Sequence, residues 1–276
     1  MKHYLFPKFF QHLSAEELME KCCEYKIDGP NALIRDGYWL SEENLLTNIG
    51  GFVKTAEGYG LEVKYADTDI PMDRIDEKMD LIKAMKDNGL EKFRLAYLYK
   101  HTFDGRIREI EDYVRASMAH VAEVAEQVGI QAIVQIHGLA YPHNASTAYH
   151  CIKGLDPKHI GIKLDPGNNY SIEGYELLTY QVPLLGEYIA ALGEKDAMLI
   201  KGEDKHDGKK GWYRPFAPAF EGCSDYNTVF TELKKIDFKG PGIFMPMYHE
   251  NDFARMDQDF KKEIKYFYDL EKEMGL

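Results

Sequence analysis

Short, continuous apolar runs alternate with longer amphipathic stretches along almost the whole chain. Apolar residues spaced three and four positions apart predict helices, and short apolar runs between turn signals predict buried strands. The amphipathic stretches cover residues 13–25, 40–60, 72–88, 107–128, 145–153, 173–191, 225–235 and 251–274, and the apolar runs cover residues 4–6, 31–34, 61–66, 92–98, 130–136, 159–165, 197–203 and 242–247. The pattern therefore predicts eight strands separated by helices.

Cap residues and glycines mark where these elements begin and end. Ser14, with Glu17 three residues later, forms a capping-box pattern that predicts the start of the first helix. Glycine-marked turns precede several strands, as in YKIDGPNALI, GYGLEVKYA, DNGLEKFRLAY and VGIQAIVQI. Eight such units in 276 residues predict one α/β domain, residues 1–276, folded as a closed (β/α)8 TIM barrel. A doubly wound open sheet is the alternative, although no G-x-G-x-x-G motif follows an early strand.

Composition and charge narrow the classes of partner. The formal net charge of −12 disfavours nonspecific binding to nucleic acid or to an anionic membrane, because both require a basic surface. No apolar run approaches the ~18 residues of a membrane span, and the first residues lack a signal-peptide pattern. Cys22, Cys23, Cys151 and Cys223 form no C-x-x-C pair, so we expect reduced thiols in a cytoplasmic protein. A homo-oligomer is compatible with the sequence, which carries no interface signature.

Polar residues cluster where the predicted strands end, which is where a (β/α)8 barrel carries its functional groups. Because side chains alternate along a strand, Gln135 and His137 share one face of the fifth strand, and Lys163 and Asp165 share one face of the sixth. Further candidates are Arg94 in the fourth strand, Asn168 and Asn169 in the turn after the sixth, Lys201 and Glu203 in the seventh, and Lys205 and Trp212 in the loop after it.

Each of these candidates has a structural alternative. Asp165 precedes Pro-Gly and could cap a turn, His137 could be a hydrogen-bonded core histidine, and Lys201 could extend its ammonium to solvent. The convergence of carboxylate, amide, imidazole and ammonium at one rim favours a carbohydrate ligand. Lys64, Lys163, Lys201 and Arg94 would give the rim a positive field, which favours an anionic carbohydrate such as a sugar acid or sugar phosphate.

At these residues the chain resembles the xylose isomerase-like family of sugar isomerases and epimerases. The resemblance extends over nearly the whole chain and is most specific in VQIHG, GIKLDPGN and LIKGED. It implies a (β/α)8 barrel. It also implies a divalent metal (Mn²⁺, Mg²⁺, Co²⁺ or Zn²⁺) bound by Glu, Asp, His and Glu at the ends of strands five to eight, with carboxylates that move a proton through an enediolate.

The metal ligands of the family carry over incompletely to this chain. The first Glu falls on Gln135, the Asp on Asp165 and the last Glu on Met245. The His falls on Leu199, two residues before a family lysine that is present as Lys201. Leucine and methionine offer nothing to a hard cation, so only Asp165 and, weakly, Gln135 would remain as metal ligands. We therefore expect no cofactor at this site, with a weakly or differently bound divalent metal as the alternative.

The expected activity is isomerisation or epimerisation of a carbohydrate through an enediolate. His137 or Glu203 would transfer the proton, Asp165 would orient that group or act as the base, and Lys201 would stabilise the oxyanion. Substrate contacts are expected from Gln135, Asn168, Asn169, Arg94, Lys163, Lys205 and Trp212. Three alternatives stay open: a Schiff-base enzyme that uses Lys201, a metal held by His137, Asp165 and Glu203, and a non-catalytic barrel that binds a carbohydrate or a partner subunit.

Overall fold

The computed structural model describes residues 1–99, 101, 103, 108–171, 176–203 and 208–275. Its main sheet is parallel and closes on itself, which confirms the predicted (β/α)8 barrel. The barrel strands, first to eighth, are His3–Leu5, residues 29–34 (Gly29–Pro30 and Ala32–Ile34), Tyr65–Thr68, Lys92–Arg94, Gln131–Gln135, Ile160–Leu164, Ile189–Glu194 and Gly242–Phe244. The sheet closes at the second strand, because Gly29–Pro30 pairs with the first strand and Ala32–Ile34 pairs with the third.

The helices pack outside this sheet. They span Ala15–Tyr25, Leu45–Gly58, Met79–Asp87, Ile110–Val128, Ala145–Ile152, Pro166–Ser171, Leu178–Leu185, Tyr226–Lys235 and Phe253–Met274, and short 3-10 turns span Lys8–Phe10, Met72–Arg74, Asp76–Lys78 and Gly186–Tyr188. The first helix begins with the predicted capping box, in which Ser14 and Glu17 each accept a hydrogen bond from the other's backbone N–H. Such caps satisfy amide groups that a helix leaves without a partner.

Two hydrophobic layers hold the barrel together. Tyr65 and Ile133 belong to the layer inside the barrel, whereas their chain neighbours Ala66 and Ala132 belong to the layer that packs against the helices. This alternation follows from the period of two along each strand. It assigns an inward or outward direction to residues of the regular strands, and it places the next inward residues, such as Gln135, at the carboxyl end of the barrel. The seventh strand breaks the alternation at Ala190 and Ala191, which both belong to the inner layer.

The seventh strand differs from the prediction. The helix predicted over residues 173–191 ends at Leu185 and is followed by Gly186, which has a positive φ of 50°. Ile189–Glu194 then forms a barrel strand that pairs with the sixth strand on one side and the eighth on the other. The run Ile-Ala-Ala-Leu has high helix propensity, and pairing within the closed sheet overrides that local preference.

The predicted strand over residues 197–203 is consequently not part of the barrel wall. Asp196–Ala197 pairs with Phe216–Ala217, and Ile200–Glu203 forms an antiparallel hairpin with Lys210–Tyr213. Both pairings form small sheets separate from the main one. The apolar run that looked like a buried strand belongs to a largely exposed hairpin instead.

The helices and the cysteines bear on the expectations about membrane and compartment. Across the described ranges, no helix is both long and apolar enough to span a bilayer. All four cysteines are free, in agreement with the expectation of reduced thiols. The cytoplasmic location and the homo-oligomer stay predictions.

Candidate active site

A buried cluster around Asp165 occupies the carboxyl end of the barrel. Asp165 follows the sixth strand directly, and its Oδ2 accepts a hydrogen bond from Nε2 of Gln135 and lies 3.2 Å from Nζ of Lys195. Its Oδ1 accepts a hydrogen bond of 2.8 Å from the backbone N–H of Asn168. Lys195 also donates to Oδ1 of Asn168 at 2.7 Å. An amide, an ammonium and a backbone N–H therefore hold this carboxylate in place.

Neighbouring groups fix the backbone of Lys195, which follows the seventh strand directly. Tyr226 donates from its hydroxyl to the carbonyl of Lys195 at 2.6 Å and accepts from its N–H at 3.2 Å. The carboxylate of Asp196 accepts hydrogen bonds from the backbone N–H and the hydroxyl of Ser224. The direction in which the Lys195 side chain enters the barrel is thus set by buried hydrogen bonds on both sides of its peptide unit.

The ammonium of Lys195 lies in a nearly dry environment. Only 5% of its side chain is exposed, and its Nζ lies 4.5 Å from the centre of the Phe216 ring. Burial, together with the positive charge of Arg94, lowers the pKa of Lys195, although Asp165 acts in the opposite direction. Lys195 was missed by the sequence analysis because it lies between the helix predicted to end at residue 191 and the seventh strand predicted to begin at residue 197.

A second polar cluster lies deeper in the barrel around Asp67, which is fully buried. Asn31 donates to Asp67 at 2.8 Å, Arg94 donates from Nε at 2.9 Å, and Nζ of Lys163 lies 3.1 Å away. Burial would raise the pKa of Asp67, but Lys163 and Arg94 outweigh burial and lower it. The inward direction of Lys163 and Arg94 agrees with the sequence analysis. Asp67 and Asn31 were not among its candidates, although Asp67 lies at a strand end and the same rule would have selected it.

His137 and Tyr97 lie next to Gln135 at the rim. Tyr97 donates to Oε1 of Gln135 at 2.7 Å, and the rings of Tyr97 and His137 are 4.7 Å apart. Nδ1 of His137 is buried without a hydrogen-bond partner among the residues that the structure describes. Burial and then the charge of Lys195 lower the pKa of His137 to about 4, against the effect of Asp165. The imidazole is therefore neutral at pH 7.

Several predicted residues lie away from this cluster. Lys201 and Glu203 belong to the exposed hairpin, where Lys201 pairs with Trp212 and its Nζ lies 6.0 Å from the Trp212 ring. Leu199 is 48% exposed and Trp212 is 61% exposed. The placement that suggested catalytic roles for Lys201 and Glu203, on a barrel strand beside Asp165, was wrong. Lys205 lies outside the described residues.

Asn169 and Met245 have packing partners. The side chain of Asn169 donates to the carbonyl of Glu176 and accepts from its N–H, both at 3.1 Å, so it connects the helix Pro166–Ser171 to Glu176. Met245 is buried, and its sulfur lies 3.9 Å from Nε2 of Gln135. Methionine thus fills the space beside the Asp165 cluster at the end of the eighth strand.

A cavity of about 830 Å³ opens at the opposite, N-terminal face of the barrel. Its apolar walls include Phe230 and Leu233, and its polar residues are engaged with one another, as Lys92 is with Gln131. Lys64 lies here too, 3.2 Å from Glu91, so its predicted position at the carboxyl-end rim was wrong. In this fold the N-terminal face contributes stability, and the chemistry lies at the carboxyl ends of the strands. We therefore take the Asp165 cluster, rather than this cavity, as the candidate active site.

The comparison with known families identifies the barrel. The sequence model of the xylose isomerase-like TIM barrel family matches residues 58–270. The chain belongs to this family. No curated protein matches the chain.

Solved structures of xylose isomerase-like barrels align over nearly the whole chain. A D-psicose 3-epimerase from Clostridium cellulolyticum H10, bound to D-tagatose, is 14% identical with a TM-score of 0.68, covering 96% of this chain and 98% of its own. The probable 3-DHS dehydratase AsbF of Bacillus anthracis is 16% identical with a TM-score of 0.68, covering 97% and 99%. A xylose isomerase-like barrel from Mycobacterium smegmatis in complex with magnesium is 12% identical with a TM-score of 0.70, covering 98% and 97%. At these identities the likeness establishes the fold alone.

The observed position of the seventh strand changes which residues of this chain correspond to the histidine and the lysine of the xylose isomerase-like family. The family histidine lies two residues before the family lysine at the end of that strand. Because the strand ends at Glu194, that lysine corresponds to Lys195 and not to Lys201. The histidine position is then Gly193 and not Leu199. A side chain on Gly193 would lie against Asp165, since its Cβ would be 3.4 Å from the carboxylate carbon.

The residues around Asp165 do not fit the divalent metal of the xylose isomerase-like family. Gly193 has no side chain, Met245 offers a sulfur that suits soft metals, and Gln135 offers an amide whose nitrogen already faces Asp165. The ammonium of Lys195 lies 3.2 Å from the one remaining carboxylate and would repel a cation bound there. The groups around Asp165 therefore suit the Lys195 ammonium and not a divalent cation.

His3, Glu194 and Glu271 form a group of metal-type ligands behind the barrel wall. Nδ1 of His3 lies 3.0 Å from Glu194, and Nε2 lies 2.7 Å from Glu271. Burial would lower the pKa of His3, but the two carboxylates raise it to about 10. A protonated imidazole has no lone pair for a metal, so we interpret this triad as a structural ion cluster.

Proposed function

We propose that the protein is a carbohydrate isomerase or epimerase in which a buried lysine replaces the divalent metal of its family. The observation that carries the proposal is the position of Lys195, whose Nζ lies 3.2 Å from Asp165 and 2.7 Å from Asn168 at the strand ends. Fixed positive charge in a low-dielectric site stabilises the negative charge that develops on a carbonyl oxygen. A lysine side chain can supply that effect without a metal.

We assign proton transfer to His137. A neutral imidazole is required to take a proton from the carbon next to the carbonyl, and the lowered pKa of His137, about 4, keeps the ring neutral at pH 7. Asp165 orients Lys195 and Asn168 through the contacts described above. Glu203 is withdrawn from the proton-transfer role because it lies on the exposed hairpin.

The charges of the two polar clusters favour a neutral or singly anionic carbohydrate. Arg94, Lys163 and Lys195 supply three positive charges, and Asp67 and Asp165 supply two negative ones, which leaves one positive charge in excess when the lysines are protonated. A sugar acid would balance that charge. The carbohydrate class is further supported by the family and by its structural neighbours, among them an L-ribulose 3-epimerase.

Hydrogen–deuterium exchange at carbon tests this activity directly. The protein is incubated in deuterated water with a pool of D-fructose, D-tagatose, D-glucuronate and fructose phosphate, with and without chelator, and carbon-bound deuterium is measured by mass spectrometry. We expect exchange that chelator does not change and that Lys195→Met reduces ~100-fold, as for loss of an oxyanion partner. Lys201→Met is the matched control and should exchange like the wild type. Exchange that requires added metal would contradict the proposal.

Binding without catalysis is a second candidate function. Gln135 and Met245 stand where the family has the carboxylates that flank the reacting carbon, and this loss favours a barrel that only binds a carbohydrate. The same pool distinguishes the two functions. A sugar that raises the melting temperature but exchanges no proton supports binding alone.

A further inference from the structure

Two buried lysines, Lys163 and Lys195, enter the barrel from neighbouring strands. The side chain of Lys163 is fully enclosed, with Nζ beside Asp67 and 5.1 Å and 5.8 Å from the ring centres of Tyr65 and Phe6. Lys195 lies nearer the rim and keeps 5% of its side chain exposed. Of this pair, Lys195 is the amine that a molecule entering from the carboxyl end would meet first.

The surroundings of Lys195 match the requirements of an amine nucleophile. A lysine becomes nucleophilic when it is desolvated or lies next to another cation, because both disfavour the ammonium form. Only 5% of the Lys195 side chain is exposed, so its amine is largely desolvated. A carboxylate oxygen of Asp165 lies 3.2 Å from Nζ and can accept its proton. The Phe216 ring, 4.5 Å from Nζ, limits access of water on one side.

We propose that Lys195 polarises the substrate covalently, by forming a Schiff base with its carbonyl carbon. This inference rests on the proposed isomerase or epimerase activity, and it replaces the electrostatic role of Lys195 given there with a covalent one. It also restricts the substrate to sugars or sugar acids with a free ketone or aldehyde group. Lys201, on the exposed hairpin, takes no part in it.

The covalent step balances without a further reactant. Asp165 takes a proton from the ammonium, and the nitrogen lone pair forms a bond to the carbonyl carbon while the C=O π electrons move to oxygen. Proton transfers give a carbinolamine, whose oxygen leaves as water when the nitrogen forms the C=N bond. The ammonium and the carbonyl thus yield a protonated imine and one water molecule.

The protonated imine then acts as the electron sink for proton exchange. It withdraws electrons from the neighbouring C–H bond, so that His137 can remove that proton and leave an enamine. Return of a proton from water to the same carbon on the other face gives the epimer, and protonated His137 releases its proton to solvent. Hydrolysis of the imine releases the product and regenerates Lys195, and nothing is oxidised or reduced over the cycle.

Borohydride trapping tests the inference. The protein is incubated with the same sugar pool, reduced with sodium borohydride and analysed by intact mass and peptide mapping. We expect one reduced sugar on Lys195 and none on Lys163 or Lys201. Exchange of carbon-bound hydrogen without any trapped adduct would overturn the Schiff base and leave the proposed isomerase standing. Absence of exchange with every sugar would instead count against the proposed function itself.

Arginine at position 195 separates charge from nucleophilicity. Lys195→Arg keeps a positive charge but cannot form an imine, so we expect exchange to fall at least ~100-fold, while Lys201→Arg exchanges normally. Retained exchange in a folded Lys195→Arg protein would overturn the covalent mechanism. Wild-type protein in heavy-oxygen water supplies a measurement that needs no variant: a Schiff base must replace the carbonyl oxygen of the sugar faster than in a protein-free control, and an unchanged rate would contradict it.

Discussion

Nζ of Lys195 lies 3.2 Å from Oδ2 of Asp165, inside a barrel rim that is closed to most solvent. The two residues come from the ends of adjacent strands, the sixth and the seventh. In a metal-binding relative the equivalent carboxylate would face a divalent cation, whereas here it faces an ammonium. The Lys195 ammonium thus occupies the place of the cation, and hydrogen bonds to Asp165 and Lys195 hold the pair.

Restoring the missing ligands should create a metal site. Gly193→His, Gln135→Glu and Met245→Glu, combined with Lys195→Met to remove the competing charge, supply the four family ligands with Asp165. Gly193 has no positive φ, and an added Cβ would be in ordinary contact with Asp165, so the backbone there accepts a side chain that begins beside this carboxylate. We expect calorimetry to detect Mn²⁺ binding to this variant and none to the wild type. The same variant with Asp165→Asn should lose the binding, and equal binding by the wild type would contradict our assignment.

The deeper cluster should contribute strongly to stability. Asp67→Asn leaves Lys163 buried without its counter-charge and leaves Arg94 with only the half-exposed Asp69, 3.6 Å away, so we expect a loss of about 3–5 kcal/mol in the free energy of unfolding. Asp69→Asn is the matched control. Asp69 is half-exposed. It pairs with Arg35 and, more weakly at 3.6 Å, with Arg94, which keeps its closer partner Asp67, so the loss of Asp69 should cost about 1 kcal/mol or less. Chemical denaturation measures both. Equal losses in the two variants would show that Asp67 does not hold the cluster together.

Tyr226 should act as a positioning residue for Lys195. Tyr226→Phe removes the hydroxyl that binds both backbone groups of Lys195, and we expect a loss of about 1–3 kcal/mol in stability together with slower hydrogen exchange on the sugar. Tyr248→Phe is the control, because Tyr248 is also buried and donates at 2.8 Å to Glu263. Both variants should lose stability, but only Tyr226→Phe should slow exchange in the folded protein. Equal rates of hydrogen exchange on the sugar in the two folded variants would show that Tyr226 contributes only to stability.

Glu263 should make stability fall as pH rises. Burial raises its pKa to about 8, although Ala219 and Tyr248 donate hydrogen bonds to it. Because the folded pKa lies above the ordinary value of 4.5, the contribution of the protonated form is complete below about pH 4.5 and is lost as pH rises through about 8. Thermal melts between these limits should show the wild type losing stability relative to Glu263→Gln. A constant difference across the range would contradict the assignment.

The alternation of elements predicted the barrel correctly because each strand pairs with its sequence neighbours and buries both faces. It also directed Gln135, Asp165 and Lys163 into the barrel, since the period of two assigns their direction. The order of elements and the direction of these side chains depend on sequence patterns within single elements, and pairing in the closed sheet favours the same structure.

The seventh strand could not be located from local propensity alone. Ile189–Glu194 contains two alanines and a glycine, and its strand conformation depends on pairing with the sixth and eighth strands. One signal was available. Gly186 precedes this strand, as glycines precede several of the others. A seventh strand predicted directly after Gly186 would have ended just before Lys195. A seventh strand predicted over residues 197–203 therefore assigned the family lysine to Lys201 instead of Lys195.

Anomalous diffraction from crystals grown with Mn²⁺ tests the central claim most directly. We predict no manganese peak beside Asp165, and electron density for the Lys195 ammonium within about 3 Å of its carboxylate, as a charge-assisted hydrogen bond requires. A manganese peak coordinated by Asp165, with the Lys195 side chain displaced, would contradict the account.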